Sequence, residues 1–318
     1  MTIDNIKEEI YKARTIIILT HEMPDGDAIG SSLAMYNALK DINKEVDVII
    51  QEHSNMYNFL PRSNEIKTKS QIKNYDLAIA LDCGDKKRLN GYAEYFENAN
   101  VTIEIDHHAI NTMFADYNFV NPAAPACAQI LITVLEGLEI EITKEIGTCL
   151  LTGIITDTGG FKYQGVSAET FEFTAELLNK GVNVSDVYKR VMQTISKDKF
   201  ELRKLAMERT EFLEDGKIAF TYINKEDEEK VNAGIDAHEG IVEIGRDVEG
   251  VEISIFLREN QEKNGYKISL RSNEYANVAD ICFIFGGGGH TRAAGGSIKL
   301  PLEEAKQKII EECKKHLK

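Results

Sequence analysis

The sequence predicts an α/β fold, with an N-terminal domain built on a parallel sheet with flanking helices and a smaller C-terminal α/β domain. Three observations carry this prediction. The chain of 318 residues is long for one compact core. Its first half alternates apolar, strand-like runs with helical stretches. A second such alternation begins near Lys217, after a charged segment. We therefore predict domains at residues 1–185 and 215–318, joined by a helical connector at 186–214.

The strands predicted in the first half are nearly continuous apolar runs, which are typical of a parallel sheet that is buried on both faces. They cover residues 15–20, 46–50, 77–82 and 101–106. A helix is predicted at 29–41, between the first two strands. From residue 125 onward the pattern becomes helical, and it predicts helices at 128–138, 143–157 and 167–181.

Residues 184–214 are rich in charged side chains at helical spacing, and we interpret them as connector helices whose charges are mostly solvated. In the second domain, strands are predicted at 217–223, 251–258 and 266–272. A glycine-rich turn at 286–289 and a final amphipathic helix at 302–317 follow. We expect this second α/β domain to be the smaller one.

The charge balance restricts the class of partner. The chain has 37 lysine and arginine residues against 52 aspartate and glutamate residues, a net charge of −15. A protein that binds long nucleic acid normally presents a basic face, because phosphate contacts supply much of its affinity. We therefore expect no long duplex as a partner. Short phosphorylated ligands remain compatible if local cations or metals offset their charge.

The cysteines and the apolar runs indicate the expected compartment. The five cysteines are odd in number and contain no CxxC pair, so they favour small core side chains over disulfides or zinc ligands. No run reaches the roughly 18 apolar residues that a membrane span requires. The first residues mix acidic and basic side chains and resemble no signal peptide. We expect a cytoplasmic protein without a membrane partner.

Residues of the metal-binding type follow the first predicted strand directly. The segment HEMPDGDAIGS, residues 21–31, supplies His21, Asp25 and Asp27. Ligands of open α/β sheets bind at the carboxyl ends of the strands, where this segment lies. An imidazole and two carboxylates suit Mn²⁺, Mg²⁺ or Zn²⁺. Taken alone, the segment also fits an Asp-rich turn that caps a helix.

Further Asp and His residues follow later elements of the same domain. They are Asp82, Asp106, His107, His108 and Asp157. Each has a plainer interpretation as a helix cap, a turn residue or a surface polar group. Together with the first segment they provide carboxylates and imidazoles and no thiolate. That composition is typical of a two-metal hydrolase rather than of a structural zinc site.

In this combination and order, the residues resemble the motifs of the DHH phosphoesterase family. Residues 21–31 resemble its first motif, Asp82 the second, Asp106-His107-His108 the third and Asp157 the fourth. The string GGGGHTRAAGGS at 286–297 resembles the motif of the DHHA1 domain. The resemblance spans nearly the whole chain, and none of these positions departs from the family pattern.

The resemblance implies two divalent cations, with Mn²⁺ as the first choice and Mg²⁺ or Co²⁺ as alternatives. The implied ligands are His21, Asp25 and Asp82 for the first cation and Asp27, Asp82, His107 and Asp157 for the second, with Asp82 bridging. The implied catalytic residues are His108, Asp82 and Asp106. Among these, Asp106 would orient neighbouring ligands, and His108 would contact the substrate phosphate.

The second domain offers glycine backbone and cationic side chains, which are suited to hold an anion. Joined to the DHHA1 resemblance, this predicts substrate contacts by Arg271, Gly288, Gly289 and His290, in addition to His108. The glycine-rich string alone also fits a plain tight turn.

Chains of this length with one DHH and one DHHA1 domain resemble the nanoRNases. The resemblance implies hydrolysis of short oligoribonucleotides, including linear dinucleotides such as pApA, to mononucleotides. It also implies hydrolysis of pAp (3′-phosphoadenosine 5′-phosphate) to AMP and phosphate. The implied reaction is the attack of a metal-activated hydroxide on phosphorus. Family resemblance also leads us to expect a homodimer.

Other functions remain open at this point. The first alternative is a cyclic dinucleotide phosphodiesterase, and the second is a family II inorganic pyrophosphatase, whose second domain lacks the GGGGH string. A nucleotide-binding regulator with a relic site is disfavoured, because all six ligand positions are filled. A RecJ-type exonuclease would need a basic channel with stacking aromatic side chains. Phe161 and Tyr163 are compatible with stacking on a base, but their sequence context favours core packing.

Overall fold

The computed structural model describes residues 2–163, 165–260, 262 and 264–318. It divides the chain into two compact units, Met1–Thr194 and Ile195–Lys318, which we call the N-terminal and C-terminal units. The predicted connector at 186–214 spans this division, and most of it lies in the C-terminal unit. Within the described residues, no helix combines the length and apolar character needed to cross a membrane.

The N-terminal unit is built on a five-stranded sheet in which all the strands are parallel, in the order β2-β1-β3-β4-β5. The strands are β1 Thr15–Thr20, β2 Glu45–Ile49, β3 Leu77–Leu81, β4 Val101–Asp106 and β5 Tyr117–Val120. The first four agree with the predicted strands to within one residue. The short edge strand β5 was not predicted, because none of its side chains is fully buried and its sequence shows no apolar run.

Helices cover both faces of this sheet. They are α1 Ile3–Lys12, α2 Gly26–Asp41, α3 Ala93–Glu97, α4 Cys127–Gly137, α5 Lys144–Asp157, α6 Ala168–Asn179 and α7 Val184–Tyr188, with 3₁₀ segments at Asn55–Phe59, Ser63–Glu65 and Lys86–Tyr92 and a π-helical turn at Lys189–Gln193. Alternate residues of β1 point to opposite faces. Ile16 and Ile18 pack into the larger core, whereas Ile17 and Leu19 pack into the smaller one. The predicted α/β class with a buried parallel sheet is thereby confirmed.

The packing of α2 against α5 depends on two glycines. A Cβ atom at Gly30 would lie 2.6 Å from the carbonyl oxygen of Cys149, and one at Gly153 would lie 2.5 Å from Asp27 Oδ1. Such distances are too short for real side chains, so the two helix backbones approach closely only because these residues are glycine. This approach brings the start of α2 against α5, the helix that ends at Asp157.

The C-terminal unit contains a mixed six-stranded sheet in the order β10-β11-β9-β8-β7-β6, in which only the β7–β8 pair is parallel among the described strands. Its strands are β6 Glu211–Leu213, β7 Ile218–Ile223, β8 Ile253–Glu259, β9 Tyr266–Ser272, β10 Gly288–His290 and β11 Ala293–Ile298. Its helices are α8 Lys197–Arg209, α9 Lys225–Val231, α10 Ile241–Arg246, α11 Val278–Ile284 and α12 Leu302–Lys314.

Two segments of the C-terminal unit contradict the sequence prediction, and β11, α9, α10 and α11 are elements that it did not contain. Residues 211–213, predicted as helical connector, form β6 because they pair antiparallel with β7. Residues 286–289 were predicted as a turn, but Gly288 and Gly289 lie in β10, which pairs with β11. In both cases the strand exists because a distant or following strand supplies its hydrogen-bond partners, and no local periodicity announces it.

Candidate metal centre

The predicted metal-binding side chains lie at one edge of the parallel sheet. His21 directly follows β1, Asp82 directly follows β3, and His107 directly follows β4. Because parallel strands all end at the same edge, three residues separated in sequence converge there. The structure then adds side chains from α2, its N-terminal cap, and the end of α5.

A first group consists of His21, Asp25 and Asp82, each of which offers a ligand atom within 4.8 Å of the other two. His21 Nε2 lies 3.6 Å from Asp82 Oδ2. His21 Nδ1 lies 2.7 Å from the carbonyl oxygen of Glu22, which can only accept a hydrogen bond. This contact places the proton on Nδ1 and leaves the Nε2 lone pair directed at the group.

Asp25 caps the helix that carries the next carboxylate. Its Oδ1 accepts hydrogen bonds from the backbone N–H groups of Asp27 at 3.0 Å and Ala28 at 3.1 Å. The cap starts α2 at Gly26, three residues before the predicted start at 29. One oxygen of Asp25 therefore orients the helix, and the side chain remains partly exposed at the mouth of the group.

A second group consists of Asp27, His107 and Asp157, whose ligand atoms also lie within 4.8 Å of one another. His107 Nε2 lies 3.4 Å from Asp157 Oδ2 and 3.9 Å from Asp27 Oδ2. Its Nδ1 lies 3.2 Å from the carbonyl oxygen of Ala124. As at His21, the backbone carbonyl accepts from Nδ1, so in the neutral ring the lone pair of Nε2 is available to a cation.

Asp27 accepts more hydrogen bonds from the described residues than the other carboxylates of the two groups. It accepts hydrogen bonds from Ser31 Oγ at 3.0 Å, from the backbone N–H of Cys127 at 2.6 Å and from that of Ala128 at 3.0 Å. The last two donors open helix α4, whose N-terminus favours a negative charge. Three donors fix the carboxylate in the fold before any ligand binds.

Asp82 lies between the two groups. Its Oδ2 faces His21, and its Oδ1 lies 3.4 Å from His107 Nε2. The residue adopts a left-handed backbone conformation with φ of 54°, which is uncommon outside glycine but tolerated by aspartate. This conformation turns the side chain out of the strand direction at the point where β3 ends.

The donor set fits divalent cations. Asp82 is 2% exposed, and its Oδ1 has no hydrogen-bond donor among the described residues. A buried carboxylate oxygen without a donor is costly unless a cation is its partner. Carboxylate oxygens and imidazole nitrogens are the ligands that Mn²⁺, Mg²⁺ and related cations accept. The cluster is therefore one that can hold metal.

Protonation in this cluster follows from burial and charge crowding. Burial and the neighbouring Asp82 and Asp157 carboxylates raise the pKa of Asp27 well above its ordinary value. Burial raises the pKa of Asp157 to about 7. Burial would lower the pKa of His107, but Asp82 and Asp27 reverse this and raise it to about 10. The carboxylates repel one another here, and that repulsion is what bound cations would relieve.

Asp106 lies beneath His108 and belongs to neither of the two groups. It is fully buried, and its Oδ1 lies 2.8 Å from His108 Nδ1. A carboxylate accepts, so Nδ1 is the donor, and His108 presents Nε2 on its other side. Asn111 Nδ2 donates both to Asp106 Oδ2 at 2.7 Å and to Glu104 Oε1 at 2.5 Å.

Sequence reasoning missed Asn111 and Glu104. An acid in the middle of the apolar run VTIEI was the available signal for Glu104. Glu104 is fully buried, and burial raises its pKa to about 7. Nothing in the local pattern distinguishes Asn111 from a loop asparagine, because its importance lies in contacts with side chains on β4.

In the C-terminal unit, the predicted substrate contacts lie on neighbouring strands. Arg271 of β9 and His290 of β10 both pair with Ala293 of β11, so their side chains share one face of the sheet. Arg271 Nε donates to Glu243 Oε1 at 2.9 Å, and Nη1 donates to a backbone carbonyl at 3.1 Å. These contacts leave Nη2 of the guanidinium without a partner among the described residues.

The glycines of β10 place no side chain beside His290. Gly288 has open space where a Cβ would stand, and Gly289 has φ of 146°, which disfavours a side chain. Gly288, Gly289 and His290 are all exposed. The predicted substrate contacts of this unit therefore form one exposed surface. Glu243, which was not predicted, contributes to it by accepting a hydrogen bond from Arg271.

Comparison with known proteins identifies relatives over the full chain. Residues 15–154 match the family model for the N-terminal domain of the DHH family, and residues 215–318 match that for the DHHA1 domain. A bifunctional oligoribonuclease and PAP phosphatase, NrnA, from Thermus thermophilus is 34% identical over 97% of this chain and 93% of its own length.

Solved structures show the same architecture. An exopolyphosphatase-related protein from Bacteroides fragilis has a TM-score of 0.91 at 29% identity, covering 98% of this chain and 95% of that one. The exonuclease RecJ, solved bound to manganese, has a TM-score of 0.52 at 13% identity, covering 99% of this chain and 94% of that one. At that identity, the second likeness concerns the fold alone.

Proposed function

Because the chain belongs to the DHH family of metal-dependent phosphoesterases, we propose that it hydrolyses short oligoribonucleotides to mononucleotides and pAp to AMP and phosphate. The Thermus thermophilus relative, 34% identical over 97% of the chain, is named for both activities. The net charge of −15 supports short substrates, because a long polyanion would be repelled outside the metal centre. Linear dinucleotides such as pApA are the smallest oligonucleotides of this class.

One observation carries the proposal. The carboxylate of Asp82 is buried between His21 and His107, and one of its oxygens has no donor among the described residues. We propose that it bridges two cations, Mn²⁺ in the first place, with Mg²⁺ and Co²⁺ as alternatives. The proposed ligands are His21, Asp25 and Asp82 for one cation, and Asp27, Asp82, His107 and Asp157 for the other.

When bound, two such cations supply the Lewis acidity that hydrolysis at phosphorus requires. The remaining work falls to side chains of the chain itself. Asp106 holds Nδ1 of His108 at 2.8 Å, so Nε2 is available to a phosphoryl oxygen of the substrate. Three donors hold Asp27 in place, which limits reorganisation when substrate binds.

We propose that the exposed surface of the C-terminal unit binds a second part of the substrate. Arg271 supplies a guanidinium whose Nε is held by Glu243, and such a fixed fork suits a phosphate. Gly288 and Gly289 offer backbone without side chains, and the exposed His290 stands beside them. His290→Ala is expected to raise KM more than it lowers kcat, since these residues bind rather than react.

A single panel of substrates tests the function. The purified protein is incubated with Mn²⁺ and, in parallel, pApA, an RNA of five nucleotides, pAp, cyclic di-AMP and pyrophosphate. Release of AMP from pApA and pAp without cleavage of pyrophosphate is the expected result. Turnover of pyrophosphate alone would instead indicate the pyrophosphatase, and turnover of cyclic di-AMP alone would indicate the cyclic dinucleotide phosphodiesterase.

We also propose a homodimer and a cytoplasmic location. The dimer rests on family resemblance, and light scattering tests it against the monomer mass of 35.7 kDa. Fractionation of cells that express the native protein tests the location.

A further inference from the structure

The turn that follows Asp157 presents an exposed aromatic side chain. Tyr163 is 46% exposed, so the core packing expected from the sequence is wrong for this residue. Phe161, by contrast, packs against the main core and stacks on Phe171 with ring centroids 5.4 Å apart. Tyr163 has no ring partner and makes no side-chain hydrogen bond among the described residues.

The backbone of the turn holds the Tyr163 ring in a defined place. The carbonyl oxygen of Thr158 accepts hydrogen bonds from the backbone N–H groups of Lys162 at 2.9 Å and Tyr163 at 3.0 Å. The chain therefore folds back on the end of α5. Gly159 has φ of 58°, and a Cβ there would lie 2.5 Å from Tyr163 Cζ and 2.6 Å from Cε2.

These contacts show which side of the ring is covered. The atoms nearest to the Gly159 position are ring carbons rather than the phenol oxygen, so Gly159 meets the face of the ring. Because this face is covered and the residue is 46% exposed, we assign the exposed area to the other face. A ring with one face supported by backbone and the other open is a platform that loses little conformational entropy when a flat ligand stacks on it.

The platform lies near the metal centre. Gly159 is two residues after Asp157, so their Cα atoms are at most about 7.6 Å apart. Asp157 Oδ2 in turn lies 3.4 Å from His107 Nε2. The Tyr163 ring contacts the Gly159 position, so it lies in the same part of the N-terminal unit as this carboxylate.

We propose that Tyr163 is a stacking subsite for a nucleobase of the substrate, an inference that rests on the proposed function. Every nucleobase has a flat face, so such a subsite accepts short RNA of any sequence and disfavours pyrophosphate, which has no base. The subsite acts on binding, because a stacking ring contacts the base and supplies no group to the bond that is cleaved. Its signature is therefore a change in KM with little change in kcat.

The test compares two substrates in the presence of Mn²⁺. One is pAp, and the other is an abasic analogue of pAp in which hydrogen replaces adenine. For the unaltered protein, we expect KM to be about fivefold to tenfold higher for the analogue than for pAp. This factor corresponds to the lower end of the contribution that stacking on one aromatic side chain makes to binding. Equal KM values for the two substrates would overturn the subsite while leaving the phosphoesterase activity intact.

Variants then assign the effect to Tyr163. Tyr163→Leu is expected to raise KM for pAp about fivefold to tenfold and to leave KM for the abasic analogue unchanged, whereas Tyr163→Phe retains the original values. The matched control is Tyr11→Leu, since Tyr11 is also 46% exposed but precedes β1 and so lies toward the opposite edge of the sheet. An equal rise for both substrates in Tyr163→Leu would indicate a structural role and overturn the proposal.

The proposed function and the subsite fail in different ways. If the unaltered protein with Mn²⁺ turns over neither substrate, the proposed function is wrong. If it turns over both equally well, only the subsite is wrong. The comparison of the two substrates needs no variant, so it holds even if Tyr163→Leu does not fold.

Discussion

Replacing Asp82 by asparagine is the most direct test of the metal centre. Asp82→Asn keeps the size of the side chain and one carbonyl oxygen but removes the negative charge shared by the two groups of ligands. Its oxygens lie 3.6 Å from His21 Nε2 and 3.4 Å from His107 Nε2, so the change is felt at both. Nothing else in the fold needs to move.

The size of the effect follows from the geometry. At about 3.5 Å and an effective dielectric constant of about 20, one unit charge interacts with another by about 5 kcal/mol. Loss of that interaction at even one cation corresponds to a fall in kcat/KM of at least about 10³-fold. The metal-free protein should change little, with Tm within about 3 °C, because the lost ion pairs are offset by relief of repulsion among the carboxylates.

Two assays measure the effect of Asp82→Asn. Hydrolysis of pApA with Mn²⁺ gives kcat/KM, and thermal melting with and without Mn²⁺ gives the stabilisation by bound metal. We expect Asp82→Asn to lose both the activity and most of the metal-dependent rise in Tm. Asp85→Asn, three residues away, is the control, since the Asp85 side chain caps a 3₁₀ segment, belongs to neither ligand group and can be replaced as a cap by asparagine. Near-normal kcat/KM and an unchanged metal-dependent rise in Asp82→Asn would refute the bridging role.

Three further predictions concern the residues around this centre. Gly153→Ala places a Cβ 2.5 Å from Asp27 Oδ1. We expect the unfolding free energy, measured by denaturation, to fall by about 2 kcal/mol. We also expect weaker Mn²⁺ binding, measured by calorimetry. Glu104→Gln removes a carboxyl whose folded-state pKa is raised to about 7. Ionisation of Glu104 lowers the unfolding free energy of the native protein as pH rises from about 4.5 to 7. The variant should therefore be more stable than the native protein at pH 8, by up to about 3 kcal/mol, and similar to it at pH 4. Chelation of metal should give a protein whose Tm falls from pH 6 to pH 9, since the pKa values of Asp157 and His107 are both raised in the folded state, to about 7 and about 10. Added Mn²⁺ should oppose that fall in Tm, because the deprotonated ligands bind metal more tightly and are more abundant at higher pH. A Tm that rises with pH in the absence of metal would contradict the raised pKa values of Asp157 and His107.

Local patterns in the sequence were sufficient for much of the architecture. The inner strands β1 and β3 carry apolar runs because both of their faces are buried, and that burial is visible residue by residue. The ligand candidates were visible for a related reason. They lie at or directly after the end of a strand or helix, or at the start of α2, where an Asp or His interrupts an apolar run that packing alone would continue.

The family could also be recognised from the sequence, and the family models and relatives confirm it. Recognition was possible because the motifs lie at the ends of successive strands and helices, and they occur along this chain in the order that the family has. The convergence of His21, Asp82 and His107 was implied by that order. The distances, the left-handed turn at Asp82 and its oxygen without a donor were not.

The tertiary structure alone decided the properties that depend on a partner elsewhere in the chain. Strands β5 and β10 exist because β4 and β11 pair with them, although their own residues show no strand pattern. Glu243 matters because it holds Arg271, 28 residues away. The exposure of Tyr163 follows from a turn that lays its ring on Gly159 instead of in the core. A sequence pattern records which residues prefer burial, whereas the folded chain determines which positions have neighbours to bury them.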